Sequence, residues 1–146
     1  MDYTQIKDIF KYEPFYRAYI KRKYSLNEVQ FSMLLYMYDR RVAKAKELYD
    51  MSVANGFKPG TFPDLKSKLL LRVVKRPGSN RVHYSATTLL DTIIEEYFDY
   101  ILMKREFKLN LGTNPMLSDR NRGTVHYMSK YMKKINQERE QHLAQE

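Results

Sequence analysis

The sequence predicts a mainly α-helical chain interrupted by one small β-hairpin. Three observations carry that expectation. Apolar residues recur with helical spacing over most of the 146 residues, as in Leu90, Ile93, Ile94, Tyr97, Phe98 and Ile101. Between Lys66 and Thr88 the pattern changes: the apolar run Leu69, Leu70, Leu71, Val73 and Val74 is broken by Arg76–Arg81, and Val82–Ala86 then resumes with alternation. Pro77 and Gly78 cannot easily continue a strand and Ser79 and Asn80 favour turns, so two short strands joined by a basic loop is the economical reading. Helices on both sides leave the hairpin standing as a wing.

From the N-terminus, Ile6, Ile9 and Phe10 begin a helical face that Pro14 interrupts or restarts near Glu13. Tyr16, Tyr19 and Ile20 continue an apolar side, with Arg17, Lys21, Arg22 and Lys23 outside it. Those cations suit a phosphate patch or a solvated helix end, where they complement the helix dipole. Ser25–Glu28 reads as a capping box, with Asn27 as the competing cap, ahead of a helix from about Asn27 to Arg40. Val42, Ala45, Leu48 and Tyr49 support a third helix that stops at Asn55–Gly56, with Lys44 and Lys46 on its outer face.

Thr61 as the cap, Pro63 in the first turn and Asp64 completing a T-x-x-D box open a short helix that runs to about Leu70. It places Leu65 and Leu69 on one side and Asp64, Ser67 and Lys68 on the other, with Lys66 on the flank. Short polar and cationic side chains just before a basic hairpin suit a major groove and its phosphates, or are ordinary solvated residues. The long helix from Thr88 carries an acidic stripe at Asp91, Glu95 and Asp99, read as solvated or as pairing with cations of another helix. Residues 108–123 read as a loop or irregular helix start. A last helix, about Thr124–Gln145, sets Met128, Tyr131, Met132 and Ile135 on one side. It turns polar from Asn136 to Gln141, so its final turns are expected to fray or project. Its stripe either packs on its own domain or pairs between copies of the chain.

Lys and Arg number 26 against 17 Asp and Glu, a net charge of +9, which favours a polyanionic partner such as nucleic acid. With no cysteine, disulfides and thiolate metal sites are excluded. His83, His126 and His142 are scattered without metal-ligand spacing, and no phosphate-cradling glycine loop or nucleophile–base arrangement can be argued, so no catalytic residue, metal or cofactor is expected and the chain is read as a non-enzyme. Aromatic residues beside cations are read as core in preference to a stacking platform for single-stranded bases. No 18-residue apolar run or leader is seen, so a cytoplasmic protein without membrane contact is expected.

Local motifs and element order together resemble a known family. Leu26–Leu34, LNEVQFSML, resembles the stretch that opens the second helix of MarR-like transcriptional regulators. Arg72–Arg76 looks like that family's G-L-V-x-R, and Asn80–Thr87 looks like its wing. The resemblance spans nearly the whole chain. It implies a single winged helix-turn-helix domain over 1–146, with residues 25–103 as DNA-binding core and wing, and 1–24 and 104–146 as N- and C-terminal dimerisation helices. It further implies a homodimer that regulates transcription by binding double-stranded DNA in a sequence-specific way, on a near-palindromic site. A small-molecule effector is common in the family, and nothing in this sequence identifies one. The DNA-contacting residues expected are Lys66, Ser67, Lys68, Arg76, Arg81, Lys44 and Lys46, with Arg81 resembling the wing arginine that enters the minor groove or grips phosphate. The alternative is a winged-helix module that binds another protein, with weak or no specific DNA binding.

Overall fold

The computed structural model describes residues 3, 9–110, 112–117 and 122–145. Among them the chain is mainly helical and carries one three-stranded antiparallel sheet. The order is α1 (Glu13–Lys23), α2 (Glu28–Arg40), β1 (Val42–Lys44), α3 (Ala45–Ser52), α4 (Thr61–Ser67), β2 (Leu71–Val74), β3 (His83–Ala86), α5 (Thr88–Ile101) and α6 (Arg122–Ala144). Single 3₁₀ turns follow α3 at Val53–Asn55 and precede α6 at Pro115–Leu117. Two compact units result: Leu26–Glu96, and Met1–Ser25 with Tyr97–Glu146.

In the Leu26–Glu96 unit, the cap of α2 is settled in favour of Asn27. Its side chain accepts the Gln30 amide at 2.8 Å, and the Gln30 side chain accepts the Asn27 amide at 3.0 Å. Two orphan amides are satisfied reciprocally, which is why Ser25 is left outside the helix. The apolar face then buries Val29, Phe31, Met33, Leu34 and Met37. Gly56, at φ +81°, provides the expected stop after the α3 turn.

Two expectations are corrected here. Val42–Lys44 is not part of the third helix but a strand, β1, paired antiparallel to β3 with Ala43 opposite Tyr84. It makes the sheet order β1-β3-β2, so Lys44 lies at the strand end before α3 and not on a helix face. Thr61 does not cap α4: Gly60 occupies that position, and the buried Thr61 hydroxyl makes no hydrogen bond.

Helix α4 also ends earlier than expected, because Leu69 adopts φ +61°. The Leu70 amide donates to the Leu65 carbonyl at 2.9 Å and the Leu69 amide to the Lys66 carbonyl at 3.0 Å. That is a Schellman closure with leucine where glycine is usual, and the Leu69 side chain is left 69% exposed. A left-handed leucine costs roughly 1–2 kcal/mol, partly offset by the backbone entropy glycine would lose. Leu69→Gly should therefore raise stability by up to about 1 kcal/mol, seen as a higher urea midpoint with unchanged slope.

The second unit is held by aromatic packing. Phe107 contacts Phe15, Tyr16, Tyr19 and Tyr100, with ring centroids between 4.8 and 5.8 Å apart. Asn136 of α6 fixes the Phe107 backbone by accepting its amide at 2.8 Å and donating to its carbonyl at 2.9 Å. Hence the polar end of α6, expected to fray or project, continues to Ala144 and clamps the aromatic hub. Met132 and Ile135 are buried within this unit, and Tyr131 packs against Tyr12 and Phe15, so that part of the α6 stripe is used inside the chain. Glu13 is the buried polar centre, accepting from Tyr97 Oη at 2.5 Å and from Arg17 Nε at 2.7 Å. Residues 4–8, including Ile6 of the first expected helical face, and residues 118–121 lie outside the described residues.

Candidate nucleic-acid interface

The candidate surface lies on α4 and the β2–β3 hairpin of the Leu26–Glu96 unit. Between Lys66 and Arg81 the sequence holds six cations and no carboxylate. Position along the chain does not decide which are available; partners do.

Helix α4 is seated by its inner face. Thr61 and Leu65 are buried, while Pro63, Lys66 and Ser67 are exposed. Asp64 lies between the two sides and acts as a clamp, accepting from Gln30 Nε2 at 2.6 Å and from Lys68 Nζ at 2.8 Å. The Lys68 ammonium and then the Gln30 amide hold the Asp64 carboxyl below the usual carboxylate range. The clamp ties α4 to α2 and neutralises an acid that would repel a polyanion. A run of rings holds the preceding loop: Tyr49 on Phe57 at 5.0 Å, Phe57 on Phe62 at 5.4 Å, and Phe62 stacked on Tyr84 of β3 at 4.9 Å. These aromatics are structural packing, not a free stacking surface.

The hairpin pairs Leu71 with Ala86 and Val74 with His83, leaving residues 75–82 as its tip. The Thr87 hydroxyl anchors its base by donating to the Leu69 carbonyl at 2.7 Å. At the tip the Ser79 amide donates to the Arg76 carbonyl at 3.2 Å, closing the Pro77–Gly78 turn. Buried His83 engages the Arg81 carbonyl through Nδ1 at 3.0 Å, which fixes the Arg81 backbone while its side chain stays exposed. A guanidinium on a pinned backbone loses less freedom on binding than one on a loose loop.

The seven residues expected from the sequence separate by their partners. Lys66, Arg76 and Arg81 are exposed, and their side chains have no partner among the described residues; Lys44 is exposed as well but interacts electrostatically with Glu47. Lys46 pairs with Asp50 at 3.0 Å, Lys68 pairs with Asp64, and the Ser67 hydroxyl donates back to the Asp64 carbonyl at 2.8 Å. The exposed Lys66, Arg76 and Arg81 share the α4–hairpin segment, whereas Lys44 and Lys46 sit on β1 and α3. Sequence reasoning missed Arg72 and Lys75, which are also exposed and unpaired among the described residues. Arg72 stands on the edge strand β2 beside the exposed Val73, and Lys75 on the hairpin tip just beyond it, so the basic run Arg72–Arg76 was itself the available signal.

The acidic stripe of α5 is engaged within the chain. Arg41, at φ +67° after α2, makes a bidentate pair with Asp91 at 2.5 and 2.8 Å, Tyr38 donates to Glu95 at 3.1 Å, and Arg105 reaches Asp99 at 3.4 Å. Cations thus meet it from turns and not from another helix. No group of three or more His, Cys, Asp or Glu suited to a metal occurs among the described residues, and no helix there is long and apolar enough to cross a membrane. No family model, curated protein or solved structure matches this chain.

Proposed function

We propose that the chain is a sequence-specific, double-stranded-DNA-binding transcriptional regulator of MarR-like type, in which Leu26–Glu96 is a winged helix-turn-helix. In that reading α3 and α4 are the helix-turn-helix, α4 enters the major groove, and the β2–β3 hairpin is the wing. The observation that carries it is the joint exposure of Lys66, Arg72, Lys75, Arg76 and Arg81 on a rigidly seated short helix and a three-stranded sheet, with the nearby carboxylate of Asp64 already neutralised. Several exposed cations on seated elements suit a phosphate backbone, whose contacts set the affinity and position of a duplex.

The homodimer belongs to the same proposal. Among the described residues, with Met132 and Ile135 used internally, the exposed Tyr127 and Leu143 and the half-buried Met128 of α6 remain for a second copy. A second reading, a module that binds another protein, is favoured by the exposed apolar Leu69, Val73 and Val82 among the same cations. Duplex affinity measured against salt separates them. A specific site selected from random duplexes, bound with a steep logarithmic salt dependence, is the expected result. Equal, weak binding to all sequences favours the second reading, and a single-chain mass at working concentration removes the paired site.

A further inference from the structure

The Met1–Ser25 and Tyr97–Glu146 unit contains a cleft of about 540 Å³ that the DNA-binding reading leaves without a role. That volume lies in the range of small-molecule sites. Its apolar wall is formed by Ile9, Tyr16, Ile101, Leu102 and Met103. Its polar side is lined by Lys11, Tyr12, Glu138, Gln141, His142 and Gln145. Lys11 Nζ lies 5.2 Å from the centroid of the Tyr12 ring and 3.1 Å from Glu138 Oε2, so an ammonium is already held between an aromatic face and a carboxylate.

Two further features favour a positive charge. The cleft is lined by Ile101, Leu102 and Met103 and by Gln141, His142 and Gln145, at the C-terminal ends of α5 and α6, where the negative ends of both helix dipoles lie. The Tyr12 hydroxyl, on a residue only 5% exposed, lies beside the Glu138 carboxylate. With Lys11 it holds the Glu138 carboxyl below the usual carboxylate range, so an ionised carboxylate faces the cleft.

We infer that this cleft binds an organic ammonium carrying an apolar or aromatic tail, with the ligand's cation replacing Lys11 Nζ between Tyr12 and Glu138 and its tail lying on Ile101 and Met103. Lys11 is then a resident competitor, half in solvent and tied only by this pair. An anion would meet the Glu138 carboxylate and two unfavourable helix ends, gaining only Lys11.

The test is titration of the full chain with 4-phenylbutylamine, and with 4-phenylbutyrate as the matched anion, followed by calorimetry and by amide NMR shifts at Leu102 and Gln145. The amine should bind saturably and about tenfold or more tighter than the anion, the scale set by exchanging an attractive for a repulsive partly buried charge. Lys11→Met should tighten the amine by about three- to tenfold by removing the competitor, and Glu138→Gln should weaken it about tenfold. Tighter binding of the butyrate, or loss of amine binding in Lys11→Met, overturns the assignment. So does absence of saturable amine binding in both the native chain and Lys11→Met. None of these readouts involves DNA, so their outcome and that of the regulator reading are separable.

Discussion

Replacing Lys66, Arg76 and Arg81 together with alanine should lower duplex affinity by about two orders of magnitude at near-physiological salt. Single changes at such contacts cost roughly 1–3 kcal/mol when they reach base edges and less at phosphate, and three at the low end sum to about 3 kcal/mol. Their side chains have no partner among the described residues, so their removal breaks nothing within the fold. Thermal stability should accordingly change by no more than about 0.5 kcal/mol for each surface site. Three lost phosphate contacts should also flatten the slope of log K against log salt by about 3, since each released counterion contributes about 0.9. Lys46→Ala is the control for loss of a single cation: it removes one charge, from a lysine already paired with Asp50 on α3. Fluorescence anisotropy over a salt series measures all of these. A triple variant that keeps its affinity and its slope removes α4 and the hairpin from the interface altogether.

What could be read from the sequence follows from the range of the forces involved. Helix faces and the hairpin were legible because they are local: Val29, Met33, Leu34 and Met37 repeat within one helix, and Pro77–Gly78 dictates a turn over a few residues. Strand β1 was not legible. Val42–Lys44 is three residues long, and its partner Ser85–His83 lies some forty residues away, so nothing nearby distinguishes it from the first turn of α3. The same applies to availability at the candidate interface. Lys68 and Lys66 are two residues apart and chemically alike, yet one is held by Asp64, itself fixed by Gln30 of α2, and the other is not. That distinction depends on how α4 docks on α2, a tertiary relation. The polar tail of α6 misled for a related reason: Asn136 looks like a solvated residue until Phe107, 29 positions away, supplies the amide and carbonyl it bonds.

Leu65→Ala should be the companion experiment to the charge variants, because it attacks the seating of α4 from within. Leu65 is fully buried, and with Thr61 it supplies the whole buried face of a seven-residue helix. So short a helix has little intrinsic stability, and its position comes from tertiary packing. Truncating a buried leucine to alanine costs about 2–5 kcal/mol, the spread reflecting how far the surroundings can close the cavity. Collapse here is restricted, because the Gln30–Asp64 bond fixes where α4 docks on α2 and the bond from the Leu70 amide fixes the backbone at Leu65, so neither shifts freely into the space the side chain leaves. The upper half of that range is therefore expected, a large part of the 5–15 kcal/mol that ordinary domains possess. The urea midpoint should fall while, at low denaturant, the cations on the outer face remain in the chain. If α4 is the element that reads duplex DNA, specific binding should fall in Leu65→Ala even where the protein is still folded, whereas the salt slope, set by how many cations reach phosphate, should change much less than in the triple variant. Loss of stability with specific affinity intact would mean that the helix is carried by the fold but does not touch the bases.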